Sequence, residues 1–132
     1  MTPPEPLVLL PGWGMGPSAF AGLRDCLGGA RTVRSPPLPA AVLAEGADSD
    51  RLADAVLEGL PAPAHWVGWS LGGLVALAVA CRAPAAVTRV TLLASAPRMV
   101  SARDWPGIDP GELAAFRRSL AADAAATHAR FL

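Results

Sequence analysis

The residues with the strongest claim to chemistry are Gly68-Trp69-Ser70-Leu71-Gly72, set between an apolar strand-like run and an apolar helix-like run. The pentapeptide matches G-x-S-x-G, the nucleophile elbow, in which a serine hydroxyl is exposed on a tight strand-to-helix turn. Backbone strain at such a serine requires small residues two places before and two places after it. Gly68 and Gly72 fill those places, and Gly73 leaves room for close helix packing. The chemistry on offer is nucleophilic catalysis by Ser70. A Gly/Ser-containing turn without chemistry is the other reading of the same residues.

The elements that would position this serine follow from the apolar pattern. Ala64-His65-Trp66-Val67 reads as a short buried strand, and Leu74 to Cys81 as an Ala-rich buried helix. Leu7-Val8-Leu9-Leu10 reads as a buried parallel strand, followed by the Gly-rich loop Pro11-Gly12-Trp13-Gly14-Met15-Gly16. Pro17-Ser18 opens a helical stretch to about Leu27, with Phe20, Leu23 and Leu27 on one face and Gly28-Gly29 stopping it. Arg31 to Arg34 is a short strand, and Ser35 to Glu45 is a Pro/Ala-rich connection. Asp48-Ser49-Asp50 can cap a helix running from about Arg51 to Gly59. Val87 to Ala94 is β-branched and strand-like. The alternation of strands and helices predicts an α/β fold, a parallel sheet with helices on both faces. From Ser95 the character changes: Pro97, Pro106 and Pro110 lead into one helix from about Asp109 to Leu132. The expected organisation is a core over 1–96 and a helical region over 97–132.

Composition sets the frame. With 132 residues, 52% of them hydrophobic and 17% charged, the chain can bury a single modest core and is too apolar for disorder. Eleven basic residues, all arginine, balance eleven acidic ones, so nothing argues for capture of nucleic acid or of anionic lipid. Cys26 and Cys81 have neither metal-ligand spacing nor a disulfide framework and read as small buried hydrophobes; no metal or cofactor is expected. Leu60 to Cys81 lacks charged residues over about a membrane-spanning length, but Pro61, Pro63 and the Ser-centred glycines favour strand-turn-helix. Met1 to Glu5 carries no basic stretch leading into an apolar core, so no signal peptide is read and the cytoplasm is the expected location.

Three blocks carry a resemblance. They are Leu9-Leu10-Pro11-Gly12-Trp13-Gly14-Met15, the extended elbow His65 to Ala76, and Ser101-Ala102-Arg103-Asp104-Trp105-Pro106-Gly107-Ile108. In these the chain resembles the α/β-hydrolases, and among them the pimeloyl-acyl-carrier-protein methyl ester esterases of biotin synthesis, over about the first half of such an enzyme. The resemblance implies a serine carboxylesterase in which Ser70 is acylated and then freed by water. It implies backbone N–H donors to the oxyanion from Leu71 and Trp13, with Gly12 and Gly14 allowing the close approach. It places Trp69 either along an acyl pocket or in plain packing beneath the elbow. Arg130 and Phe131 match lid positions in contact with substrate and carrier protein, or form an ordinary amphipathic helix end. Arg117, Arg118 and Glu112 read as an exposed face, or as a patch for the carrier. Pro11-Gly12 stands where the family commonly has His-Gly.

The hydrolase triad runs Ser, then Asp or Glu, then His, and the two later members are not recognisable. His65 lies roughly 15 Å from the Ser70 hydroxyl if it opens the strand that Ser70 ends, whereas a general base must come within about 3 Å. His128 lacks an evident orienting carboxylate. Asp104 and Asp109 read as loop structure, and Asp48, Asp50 and Asp54 as capping and solvated-face residues. The expected function is ester hydrolysis by a truncated chain, on an acyl ester borne by acyl carrier protein. The alternatives are an inert fragment or acyl-binding remnant needing a complementing chain, and thioesterase or acyltransferase chemistry at the same serine. Four strands alone would leave the last as an apolar edge that a partner chain could cover.

Overall fold

The computed structural model describes residues 2–44, 48–60 and 63–132. Two compact units emerge, Met1–Pro97 and Arg98–Leu132. The first holds a parallel sheet of four strands: β1 (Leu7–Leu10), β2 (Val33–Arg34), β3 (Ala64–Trp69) and β4 (Val87–Leu93), in the order β2-β1-β3-β4. Its helices are α1 (Ala21–Leu27), entered through a 3-10 turn at Pro17–Phe20, then α2 (Ala40–Ala44), α3 (Ser49–Leu57) and α4 (Leu71–Arg82).

The period-two geometry of β1 sends its side chains into two separate cores. Val8 and Leu10, with Ala64 and Trp66 of β3, pack under α3 and α4. Leu7 and Leu9, with Val67, pack under Phe20, Leu27 and Trp69 on the opposite face. Both faces of the sheet are thus covered, which is why β1 is apolar at every position. Trp66 is fully buried, and its indole N–H donates to the Ala86 carbonyl at 3.0 Å. β4 and β2 are the two outer strands of the sheet, and Leu93, the last residue of β4, is 40% exposed.

Several details depart from the expectations. α2 lies inside the stretch read as a connection, of which Glu45 falls outside the described residues, as does Pro61. Leu23 faces solvent rather than joining Phe20 and Leu27. Both cysteines are exposed, not buried. The inward face of α4 runs through Gly72, Val75, Ala76 and Val79, so Cys81 turns outward at the helical period, before Arg82. Arg82 reaches across to α3, with Nε and Nη2 each donating to an Asp54 carboxylate oxygen at 2.7 Å and Nη1 lying 3.6 Å from Asp50. Asp48 caps α3 by accepting from the Arg51 N–H at 3.0 Å.

The second unit contains α5 (Pro110–Ala122) and α6 (Ala124–Phe131), where one continuous helix was expected. Asp123 breaks the run: its extended backbone ends α5, and its carboxylate accepts from the Ala126 N–H at 2.9 Å to start α6. Ahead of them, Ser101 to Ile108 folds on itself. Ser101 N–H donates to the Ile108 carbonyl at 2.9 Å, and the Trp105 indole N–H to the Arg98 carbonyl at 2.9 Å.

Candidate active site

β1 leads to β2 on one side of the sheet, while β3 lies on the other, so the direction of winding reverses between β1 and β3. In open α/β sheets the crevice at the carboxyl ends of such a strand pair is where ligands bind. The register sets Leu10 opposite Gly68. The loop leaving β1 and the turn leaving β3 therefore emerge side by side. A Cβ placed on Gly12 would sit 3.5 Å from the Ser70 Cβ and 3.6 Å from the Trp69 carbonyl oxygen. The structure thus sets Gly12 beside Ser70, 58 residues on in sequence, with room between them for no more than one added methyl group.

Ser70 itself has φ 52° and ψ −117°, a conformation that side chains with a Cβ rarely adopt. The turn around it is closed by missing β-carbons. A Cβ on Gly68 would lie 2.3 Å from the Gly72 carbonyl oxygen, and one on Gly72 would lie 2.2 Å from the Leu10 carbonyl oxygen. Ser70 stands at the N-terminal end of α4, and Leu71 is the first helical residue. The leading N–H groups of a helix have no intrahelical acceptor and carry the positive end of its dipole. A helix so placed favours negative charge at its entrance.

The other predicted residues fall as follows. Trp13 is half-buried in the loop after β1, and Gly14 beside it has φ 72°, the left-handed value that glycine supplies without strain. Trp69 is partly buried and packs against the core of Leu7, Leu9, Phe20 and Val67. Arg130 and Phe131 belong to the second unit, where they line a surface pocket of about 360 Å³ with Phe116, Ser119 and Thr127. The Phe116 and Phe131 rings stand 5.7 Å apart, and Arg130 Nη2 donates to Thr127 Oγ1 at 3.4 Å. Arg117, Arg118 and Glu112 are exposed on α5.

His65 is the second residue of β3, opposite Leu7, while Ser70 follows the strand's far end. Its Nε2 lies 2.8 Å from Thr91 Oγ1. Burial lowers the imidazole pKa from its ordinary value, against the opposing pull of the Glu5 carboxylate. Glu5 in turn is lowered chiefly by a hydrogen bond from the Thr88 hydroxyl.

Two residues at this site went unread in the sequence, Leu93 and Ser95. The Leu93 carbonyl accepts from the Ser70 N–H at 2.9 Å, and Ser95 Oγ donates to the Ser70 carbonyl at 2.7 Å. Their role depends on how far β4 runs past the elbow, which no local pattern reveals.

The alpha/beta hydrolase fold family matches residues 36–132. The chain belongs to that family. It is similar to the pimeloyl-[acyl-carrier protein] methyl ester esterase of Vibrio campbellii, 38% identical over 129 residues, covering 96% of this chain and 51% of the relative. The protein of the same name from Methylococcus capsulatus is 40% identical over 130 residues, again covering 96% of this chain and 51% of its own length. The chain spans about half the length of the curated relatives it matches. Among solved structures, Est816, described as an N-acyl homoserine lactone degrading enzyme, superposes with a TM-score of 0.68 at 21% identity, over 86% of this chain and 45% of Est816. The epoxide hydrolase CorEH does so with 0.62 at 23% identity, over 89% and 43%. These two likenesses establish the fold alone. No helix among the described residues is long and apolar enough to cross a membrane.

Two predictions follow from the geometry of the turn and its strand. Gly72→Ala must displace the Leu10 carbonyl and costs about 1–3 kcal/mol of stability. Gly22→Ala, in open space on α1, is neutral or stabilising by about 0.5–1 kcal/mol. Thermal melts of both variants check this, and equal melting temperatures would contradict it. For His65, the depressed folded pKa means that the unfolded chain takes up the proton first as pH falls. Its contribution is present above about pH 6.5 and is lost as pH drops through the lowered folded value. Melting temperatures from about pH 8 to about pH 5 therefore fall more steeply in the wild type than in His65→Gln. Parallel curves would contradict this.

Proposed function

We propose that the protein bearing this chain is a carboxylic ester hydrolase with Ser70 as its nucleophile. The observation that carries the reading is the positive-φ backbone of Ser70 on a strand-to-helix turn, with the loop after β1 passing beside it at Gly12. Ser70 Oγ adds to the ester carbonyl carbon while its proton passes to a general base. The carbonyl oxygen gains the charge, and the N–H groups of Leu71 and Trp13 receive it. Collapse expels the alcohol, which takes the proton from the base and leaves the acyl group on Ser70. Water then frees the acid by the same steps in reverse. In this family's order of residues, the base is a histidine oriented by Asp or Glu, both later in sequence than the nucleophile.

The names of the relatives support a methyl ester of a pimeloyl chain on acyl carrier protein as substrate, with methanol leaving. In this reading Trp69 borders the acyl site. Residues 97–132 begin a lid, in which Arg130 and Phe131 meet substrate or carrier. Removal of the hydroxyl tests the chemistry. A fluorophosphonate probe labels Ser70, and Ser70→Ala loses both the label and ester turnover, by on the order of 10⁴–10⁶-fold. Turnover persisting in that variant would end the assignment.

A second reading concerns the 132 residues in isolation. The imidazole in the first unit stands at the far end of β3 from Ser70, held to Thr91, so it cannot serve as the base. Residues 1–132 alone would then bind or bend an acyl ester without turning it over efficiently, and a complementing segment or chain would supply the base. Turnover by this piece is expected to fall several orders of magnitude below that of a full-length relative, since binding and oxyanion donors alone leave about 10³–10⁴-fold over water. Activity within about tenfold of the relative would contradict it.

A further inference from the structure

The end of β4 holds both polar groups of the Ser70 backbone. The Ser70 N–H donates to the Leu93 carbonyl at 2.9 Å, and Ser95 Oγ donates to the Ser70 carbonyl at 2.7 Å. Between those partners Ala94 has φ 45°, and among the described residues Ser70 is the one other non-glycine residue with positive φ. Such a conformation is costly for alanine and persists only where its surroundings over-determine it. Ser95 is wedged in place as well. A Cβ on Gly73 would lie 2.3 Å from Ser95 Oγ and 2.4 Å from its Cβ.

The carbonyl that Ser95 engages shares a peptide unit with the Leu71 N–H. In a trans peptide those two groups point in opposite directions. A bond that fixes the carbonyl on one side therefore aims the N–H to the other. The Gly73 N–H donates to the same oxygen at 2.9 Å, so it accepts two hydrogen bonds. Each of them draws charge toward the oxygen and makes the amide hydrogen a stronger donor. Leu71 heads α4, where that hydrogen has no helical acceptor to compete for it.

The geometry points to Ser95 as a positioning residue that orients and polarises the Leu71 N–H for the oxyanion. This rests on the reading of Ser70 as nucleophile, and it assigns a task in catalysis to a side chain that never touches substrate. A purely structural serine would, on removal, lower the amount of folded enzyme and leave the kinetics of the folded fraction unchanged. A positioning serine acts on the transition state instead.

The test uses the full natural protein with active-site titration. Ser95→Ala lowers kcat about 10- to 100-fold, with KM within about twofold of wild type. Affinity for a trifluoromethyl ketone, which forms an oxyanion on the nucleophile, falls by the same factor, whereas affinity for the product acid does not change. Ser95→Cys keeps a weaker donor of similar size and falls between wild type and Ser95→Ala. It also supplies the kcat-against-KM split should Ser95→Ala fail to fold. Wild-type kcat in either variant, or a loss confined to KM, overturns the inference. Ser70→Ala is run alongside: turnover surviving there overturns the nucleophile reading itself, whereas loss there with full kcat in Ser95→Ala overturns the role of Ser95 alone.

Discussion

A Cβ on Gly68 would lie 2.3 Å from the carbonyl oxygen of Gly72, and one on Gly72 would lie 2.2 Å from that of Leu10. Those two absent atoms let the entrance of α4 press against the ends of β1 and β3, and the rest of the site depends on that contact. The chain can turn from strand to helix within one residue only if that residue takes a left-handed conformation, which costs on the order of 1–3 kcal/mol for a residue with a Cβ. Ser70 bears that strain. Two buried cores, one on each face of the sheet, offset it: Val8, Leu10, Trp66 and Val75 on one side, and Leu7, Leu9 and Phe20 on the other. The strained residue is fixed by packing that lies around it rather than in it.

The site is consequently a property of three strand ends. β1 delivers the Gly12-Trp13 loop, β3 delivers Ser70, and β4 delivers the carbonyl and hydroxyl that hold the Ser70 backbone. Each strand contributes a different kind of group, and parallel pairing puts all three on one edge of the sheet. The dipole of α4 starts at the same point. Hydrolysis of an ester needs a nucleophile and a place for negative charge. On the proposed reading, the turn at Ser70 would supply the first, and the leading amides of α4 the second.

What could be read in the sequence was what short-range sterics and burial dictate. The two glycines flanking the elbow announced a turn that excludes side chains, and the continuous apolar run at Leu7–Leu10 announced a strand covered on both faces. What escaped was set by longer-range geometry or by competing local signals. α2 hides in a Pro- and Ala-rich stretch. The break at Asp123 is a capping aspartate followed by three alanines, a legible signal masked by the helical character on both sides. Cys81 ends an apolar run that points to burial, yet the helical period turns it outward. Ser95 could not be found from its neighbours, because its partner lies 25 residues away across a strand pairing.

The most direct test of the central claim, that a strained backbone presents the Ser70 hydroxyl beside waiting amides, is a crystal structure of the protein after reaction with a phosphonate ester. The account predicts phosphorus bonded to Ser70 Oγ, Ser70 still at positive φ, and the phosphoryl oxygen about 2.7–3.1 Å from the amide nitrogens of Leu71 and Trp13. Phosphorus on another residue, or a phosphoryl oxygen directed away from both amides, would contradict it.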